Sequence, residues 1–146
     1  MRVVIQRVKE AQVQVAGSTV GQIPKGLLVF LGIARDDSKP SADYLVKKIT
    51  ELRIFEDAGG KMNLSTQEVG AQFLVVSQFT LYGDCDSGRR PSFERAADPA
   101  MAQELYDYFV TRLKAVPAVV ETGRFGAMMD VSLVNDGPVT FILDSK

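Results

Sequence analysis

The sequence contains no histidine in its 146 residues. A serine–histidine–aspartate or cysteine–histidine nucleophile is therefore excluded, as is a histidine-ligated metal site built from this chain alone. Cysteine occurs once, as Cys85, so no intrachain disulfide can form, and the usage fits a reducing, cytosolic compartment. With one thiol and no imidazole, a zinc site would rest almost wholly on carboxylates; no metal and no cofactor are expected. An excess of either charge is missing too, since 17 Lys+Arg stand against 18 Asp+Glu for a net charge of −1. Proteins that coat nucleic acid carry a basic excess, because affinity comes largely from neutralised phosphates. Any RNA contact is thus expected to be small or local. Long apolar runs are absent as well. The longest, Leu27 to Ile33, falls far short of the ~20 residues that span a bilayer. The opening stretch carries Arg2, Arg7 and Lys9 and has no apolar signal-peptide core. A cytoplasmic protein with no membrane contact is expected.

What is present is ordinary globular material: 46% hydrophobic and 24% charged residues. At about 150 residues per domain, 1–146 reads as a single domain, large enough to bury a core without staples. Arg2 to Val8 reads as a strand, and Ala11 to Ala16 as another, with Gln12, Val13, Gln14 and Val15 alternating. Turns are signalled at Gly17-Ser18, Gly21 and Pro24-Lys25-Gly26. Leu27 to Ile33 suits a strand buried on both faces. Ser41 is expected to cap a helix carrying Leu45, Val46, Ile49 and Leu52, which ends in a loop at Gly59-Gly60. Phe73 to Leu81 reads as a central strand, Gly83 to Phe93 as a loop, and Asp98-Pro99 as the start of a helix with Leu105, Phe109 and Leu113 on its buried stripe. Strands are expected near Val119–Glu121, Met128–Val134 and Val139–Leu143, the last two broken by Asn135-Asp136-Gly137-Pro138. The fold class is α+β: a mixed, largely antiparallel, barrel-like sheet with two helices.

Four segments could carry chemistry. Ser77-Gln78-Phe79-Thr80 puts two hydroxyls and an amide at the end of an apolar strand. Left unpaired in a core they would cost about 1–3 kcal/mol each, so they either bond neighbouring strands and the next turn or form a polar floor. Such a floor could polarise a carbonyl and hold an oxyanion. Asn135-Asp136-Gly137-Pro138 is a turn, or rigid backbone that a ligand approaches closely. Arg89 and Arg90, in a loop framed by Gly88 and Pro91, are solvated charges or phosphate contacts. Phe125, framed by Gly123 and Gly126, is a core residue or a wall of a pocket. No phosphate-binding glycine motif occurs. Cys85, between Asp84 and Asp86, is given no role.

Taken together, the segments resemble the D-aminoacyl-tRNA deacylases of the bacterial and eukaryotic type. The matching stretches are Ile5-Gln6-Arg7-Val8, Lys61-Met62-Asn63-Leu64, Ser77-Gln78-Phe79-Thr80-Leu81, Arg90-Pro91-Ser92-Phe93, Thr122-Gly123-Arg124-Phe125-Gly126-Ala127 and Val134-Asn135-Asp136-Gly137-Pro138-Val139-Thr140. Each is weak alone; together, in the family's order, they span nearly the whole chain.

The resemblance implies hydrolysis of the ester between a D-amino acid and the terminal adenosine of tRNA. The partner is then the acceptor end of aminoacyl-tRNA. It also implies a homodimer with active sites at the subunit interface. Gly137-Pro138 would be cis and reach into the partner subunit's pocket, and Arg7 would brace it. Ser77, Gln78, Phe79 and Thr80 would lie near the scissile ester, and Phe125 and Met129 would wall the pocket. Rejection of L side chains by rigid carbonyls, with some activity on glycyl-tRNA, is the expected specificity. Two alternatives stand beside this: a related editing deacylase with a trans Gly-Pro bond, and a non-catalytic dimeric RNA-binding module.

Overall fold

The computed structural model describes residues 1–146. Its strands are β1 (Arg2–Val15), β2 (Ser18–Ile23), β3 (Gly26–Gly32), β4 (Phe55–Glu56), β5 (Met62–Leu64), β6 (Gln72–Ser77), β7 (Val120–Thr122) and β8 (Asp130–Asp144). Two helices, α1 (Lys39–Glu51) and α2 (Pro99–Lys114), complete the α+β domain. No helix is long and apolar enough to cross a membrane.

β1 organises the sheet. Along one edge it pairs antiparallel first with β3 and then, past a bend, with β2; along the other it pairs antiparallel with β8 over nearly its whole length. β6 adds to β3 in parallel, and β7 adds to β6 in parallel. The ends of this order, β2 and β7, then close on each other. A Cβ at Gly21 would stand 2.2 Å from the Thr122 carbonyl oxygen, so only glycine permits the approach that nearly shuts the barrel. β4 and β5 form a separate small hairpin.

Alternation along the strands fills two cores. Leu27, Val29 and Leu31 of β3 face the helices with Phe73 and Val75, against Leu45 and Ile49 of α1 and Leu105, Phe109 and Leu113 of α2. Leu28 faces inward instead, with Val8, Ala11, Val13, Ile23, Leu74 and Val76. This is why Leu27–Ile33 is apolar on every position. Register shifts against β8 around Arg7 and Lys9 reverse the parity of β1. Val3, Ile5 and Arg7 therefore look toward the helix side, whereas Ala11 and Val13 look into the barrel.

Four expectations are corrected. Arg2–Val8 and Ala11–Ala16 are one bent strand, because bulges absorb the phase change that reads as a break. Asn135–Pro138 likewise interrupts nothing: β8 runs through it as a bulged continuation. Ser38, not Ser41, caps α1; Pro40 fits the first turn, and Ser41 Oγ reaches back to the Ser38 amide at 3.3 Å as the other half of a capping box. Phe73–Leu81 stops being strand at Ser77. Asp98 caps α2 as expected, accepting from the amides of Ala100 and Met101 at 3.1 Å each.

Candidate active site

β6 ends where the Gln78 amide donates to the Leu31 carbonyl at 2.8 Å. From Phe79 to Tyr82 the chain then winds into a turn of 3₁₀ helix. The polar run thus leaves the sheet. Ser77 and Gln78 are half-buried, and Phe79 and Thr80 are exposed. Gln78 Nε2 donates to Thr80 Oγ1. The opening amides of such a turn, those of Phe79 and Thr80, have no acceptor within it. The Phe79 ring stands edge-on to Phe93 with centroids 5.0 Å apart. The exposed loop bearing Cys85, Arg89 and Arg90 therefore borders the turn, pinned by the paired Asp84 and Ser92. The guanidinium groups of Arg2 and Arg95 stand 5.5 and 5.7 Å from the centre of the Tyr82 ring. Burial, helped by the carboxylates of Asp37 and Asp144, pushes its phenol up to about 12. It stays protonated at neutral pH and offers no general base.

The second centre is the bulge of β8. Gly137 and Pro138 are exposed, their peptide bond is cis, and Gly137 has φ +122°, a conformation open to glycine. Beneath the bulge Arg7 is buried at 4% exposure. Its Nη1 donates to the Ile54 carbonyl at 2.8 Å and its Nε to the Asp136 carbonyl at 3.3 Å. Its guanidinium also lies 3.4 Å from the Asp136 carboxylate and 3.8 Å from that of Glu56. A hollow of about 180 Å³ opens here, lined by Arg7, Lys25, Phe55, Glu56, Asp136 and Gly137.

Within one chain the two centres stay apart. Ser77 is level with Leu31 and Val3, whereas Gly137 lies beside Arg7. The four-residue offset along β1 is roughly 13 Å at a strand's rise per residue, and β3 and β1 also stand between β6 and β8. Met129 packs on the barrel face, its sulfur over Gly123 beside Val13 and Val76, whereas strand alternation turns the Ser77 side chain to the other face of β6. Phe125 is half-buried on the flank of the main core, its ring 5.7 Å from that of Tyr106. Neither lines the hollow at Gly137. Sequence reasoning gave no role to Ile54, whose contribution is a main-chain carbonyl and leaves no trace in residue type. Nor did it single out Asn135, though the residue stood within a quoted motif.

A D-Tyr-tRNA(Tyr) deacylase family profile matches residues 4–144. Curated proteins named D-aminoacyl-tRNA deacylase from Desulfatibacillum aliphaticivorans and Thermosipho africanus are 62% and 59% identical over 146 residues. They are matched over 100% of this chain and 100% and 98% of their own lengths. Among solved structures, the c-Myc DNA Unwinding Element Binding Protein superposes with a TM-score of 0.94 at 38% identity, over 100% of this chain and 99% of that one. A probable eukaryotic D-amino acid tRNA deacylase shares the fold, with a TM-score of 0.84 at 19% identity over 98% of each chain. The family profile and the curated relatives, on this α+β barrel-like domain, make the chain an enzyme of the hydrolase class. More particularly, the chain belongs to the D-aminoacyl-tRNA deacylase family.

Proposed function

We propose that this protein hydrolyses the ester joining a D-amino acid to the terminal adenosine of tRNA in the cytoplasm. It does so as a homodimer, each site drawing Ser77–Thr80 from one subunit and Gly137-Pro138 from the other. The separation of these two centres carries the reading. In an aminoacyl ester the amino group and the carbonyl are two bonds apart, so groups that hold them must converge. In a single chain they are offset by roughly 13 Å along the sheet. A second copy supplies what one chain lacks. The outer edge of β8 supports this: fifteen residues long, it exposes Val134, Phe141 and Ile142, at 44%, 39% and 65%. An open edge of that length, carrying exposed apolar side chains, is stabilised by covering it.

The chemistry follows from the missing base. An aminoacyl ester is activated, so orientation and preorganised donors can supply much of the rate. The amides of Phe79 and Thr80 receive the developing oxyanion, with Ser77 and Gln78 shaping the floor around it. The ribose 2′-hydroxyl of the tRNA helps activate the attacking water. Thr80 as a covalent nucleophile fits poorly, because its oxygen accepts a hydrogen bond from Gln78 and faces no base that would take its proton. Thr80→Ala is accordingly expected to keep most of the activity, with no acyl-enzyme in the wild type. Phe79→Pro, which deletes one amide donor at a position where proline suits the turn, is expected to lower kcat about 100- to 1000-fold. Phe79→Ala, which keeps the amide, should lose far less. Equal losses for both Phe79 variants would remove the oxyanion assignment.

Handedness is read by the exposed carbonyls of Gly137 and Pro138, which accept the substrate amino group and leave no room for an L side chain. Deacylation of D-tyrosyl-, L-tyrosyl- and glycyl-tRNA at matched concentrations is the deciding assay. The D and glycyl esters are expected to be cleaved and the L ester spared. L-tyrosyl-tRNA cleaved as fast as the D form would end this account.

A further inference from the structure

Between the pairs Gln6–Thr140 and Val8–Asn135, Arg7 alone stands opposite Asp136, Gly137, Pro138 and Val139. So uneven a bulge leaves main-chain carbonyls on both strands without ladder partners. The half-buried side chain of Asn135 lies across its base. In one amide orientation Nδ2 donates to the Arg7 carbonyl at 2.9 Å and the Val139 carbonyl at 3.1 Å. Oδ1 then accepts from Gln6 Nε2 at 3.3 Å and Thr140 Oγ1 at 3.1 Å. In the opposite orientation the amide oxygen would face two carbonyl oxygens, and only the bond to Thr140 Oγ1 would remain. The four-bond orientation is the one the surroundings impose.

We propose that Asn135 is a positioning residue for the Gly137-Pro138 turn. It never touches substrate; it fixes the direction in which the exposed carbonyls of the turn point. Arg7 holds the turn by its Asp136 end, from beneath. Asn135 ties the other end, at Val139, back to β1 through the Arg7 carbonyl, so the two residues grip opposite limbs of one loop. The side-chain type is dictated by the bonds. Two donors must face two carbonyls while one acceptor faces two donors, and a primary amide on a short stem meets that demand. Aspartate has the same shape but would aim a carboxylate at the two carbonyls. This inference rests on reading Gly137-Pro138 as the selector of handedness.

The test compares full-length wild type with Asn135→Asp, Thr140→Val and Gly137→Ala. Kinetics on D- and L-tyrosyl-tRNA are read beside the thermal unfolding midpoint. Asn135→Asp is expected to lower the D:L ratio of kcat/KM about tenfold or more. Thr140→Val keeps both carbonyl bonds but removes one of the donors that orient the amide, and is expected to lower the ratio by a smaller factor. It serves as the deciding variant if Asn135→Asp does not fold. Gly137→Ala tests the underlying reading. It disturbs the turn directly, since its Cβ would stand 2.8 Å from Val139 Cγ2 and 3.1 Å from Arg7 Nη2. If Gly137→Ala discriminates like wild type, the selector reading fails and this inference with it. If Gly137→Ala loses discrimination while folded Asn135→Asp keeps the wild-type ratio and shows only a lower melting point, the positioning role alone is overturned.

Discussion

Replacing Arg7 with methionine is expected to lower the unfolding midpoint by about 5–15 °C and to erase most of the preference for the D ester. Methionine fills much of the volume, so packing is not the main loss. The main loss is polar: the Ile54 carbonyl forfeits a buried charge-assisted donor at 2.8 Å, and the part-buried Asp136 carbonyl one at 3.3 Å. The carboxylates of Glu56 and Asp136 are 58% and 30% exposed and can be rehydrated, which keeps the cost below that of a fully buried ion pair. Orphaned carbonyls and the lost pairing together come to about 2–4 kcal/mol, and a chain of this size loses roughly 2–4 °C per kcal/mol. Arg7→Lys should fall between, because one ammonium cannot reach Ile54, Asp136 and Glu56 in their separate directions. Differential scanning calorimetry, paired with D- and L-tyrosyl-tRNA kinetics, measures both effects. A methionine variant with a wild-type midpoint would show that the buried guanidinium is not what holds the turn.

How much of this could be read from residue order depends on whether the determinant is a side chain or a main-chain path. The β3 run, the Asp98 cap and the apolar stripes of both helices are side-chain facts, and each reappears in the fold. The 3₁₀ turn after Ser77 is different: Phe79, Thr80 and Leu81 are all good strand residues. What ends the strand is tertiary, the Gln78 amide capping the last carbonyl of β3 that β6 can reach. Asn-Asp-Gly-Pro has the composition of a hairpin turn, yet it becomes a bulge because β1 stays paired to β8 on both sides of it. Ser38 could have been preferred to Ser41 from sequence alone, since Pro40 belongs in a first helical turn. The Ile54 carbonyl could not, because every residue carries one. The candidate segments were legible as motifs, and the resemblance already implied a turn that reaches across subunits; what only three dimensions supply is the offset of roughly 13 Å between Ser77 and Gly137 within one chain.

Two damaged proteins are expected to make one working enzyme. Phe79→Pro removes an oxyanion donor but leaves Gly137-Pro138 whole, while Gly137→Ala forces a Cβ against Val139 and Arg7, which turns aside the carbonyls that hold the substrate amino group and so lowers D-ester cleavage as well as discrimination, but leaves the Phe79 and Thr80 amides whole. If each site combines one subunit's amides with its partner's turn, a heterodimer of the two variants has one intact site and one doubly damaged site. Random pairing makes half the dimers mixed, so a refolded equimolar mixture should regain about a quarter of wild-type activity on D-tyrosyl-tRNA. Two different affinity tags allow the heterodimer to be isolated, where activity per dimer should rise to about half. Were each site built within one chain, mixing would give only the average of the two residual rates. The outcome is graded by geometry rather than stability, because neither substitution lies in the buried cores that hold the barrel together. Recovery also has a built-in control: a single chain carrying both substitutions, mixed with wild type, places one defect in each site of every heterodimer. That mixture should fall to about a quarter of wild-type activity, since only wild-type homodimers remain whole.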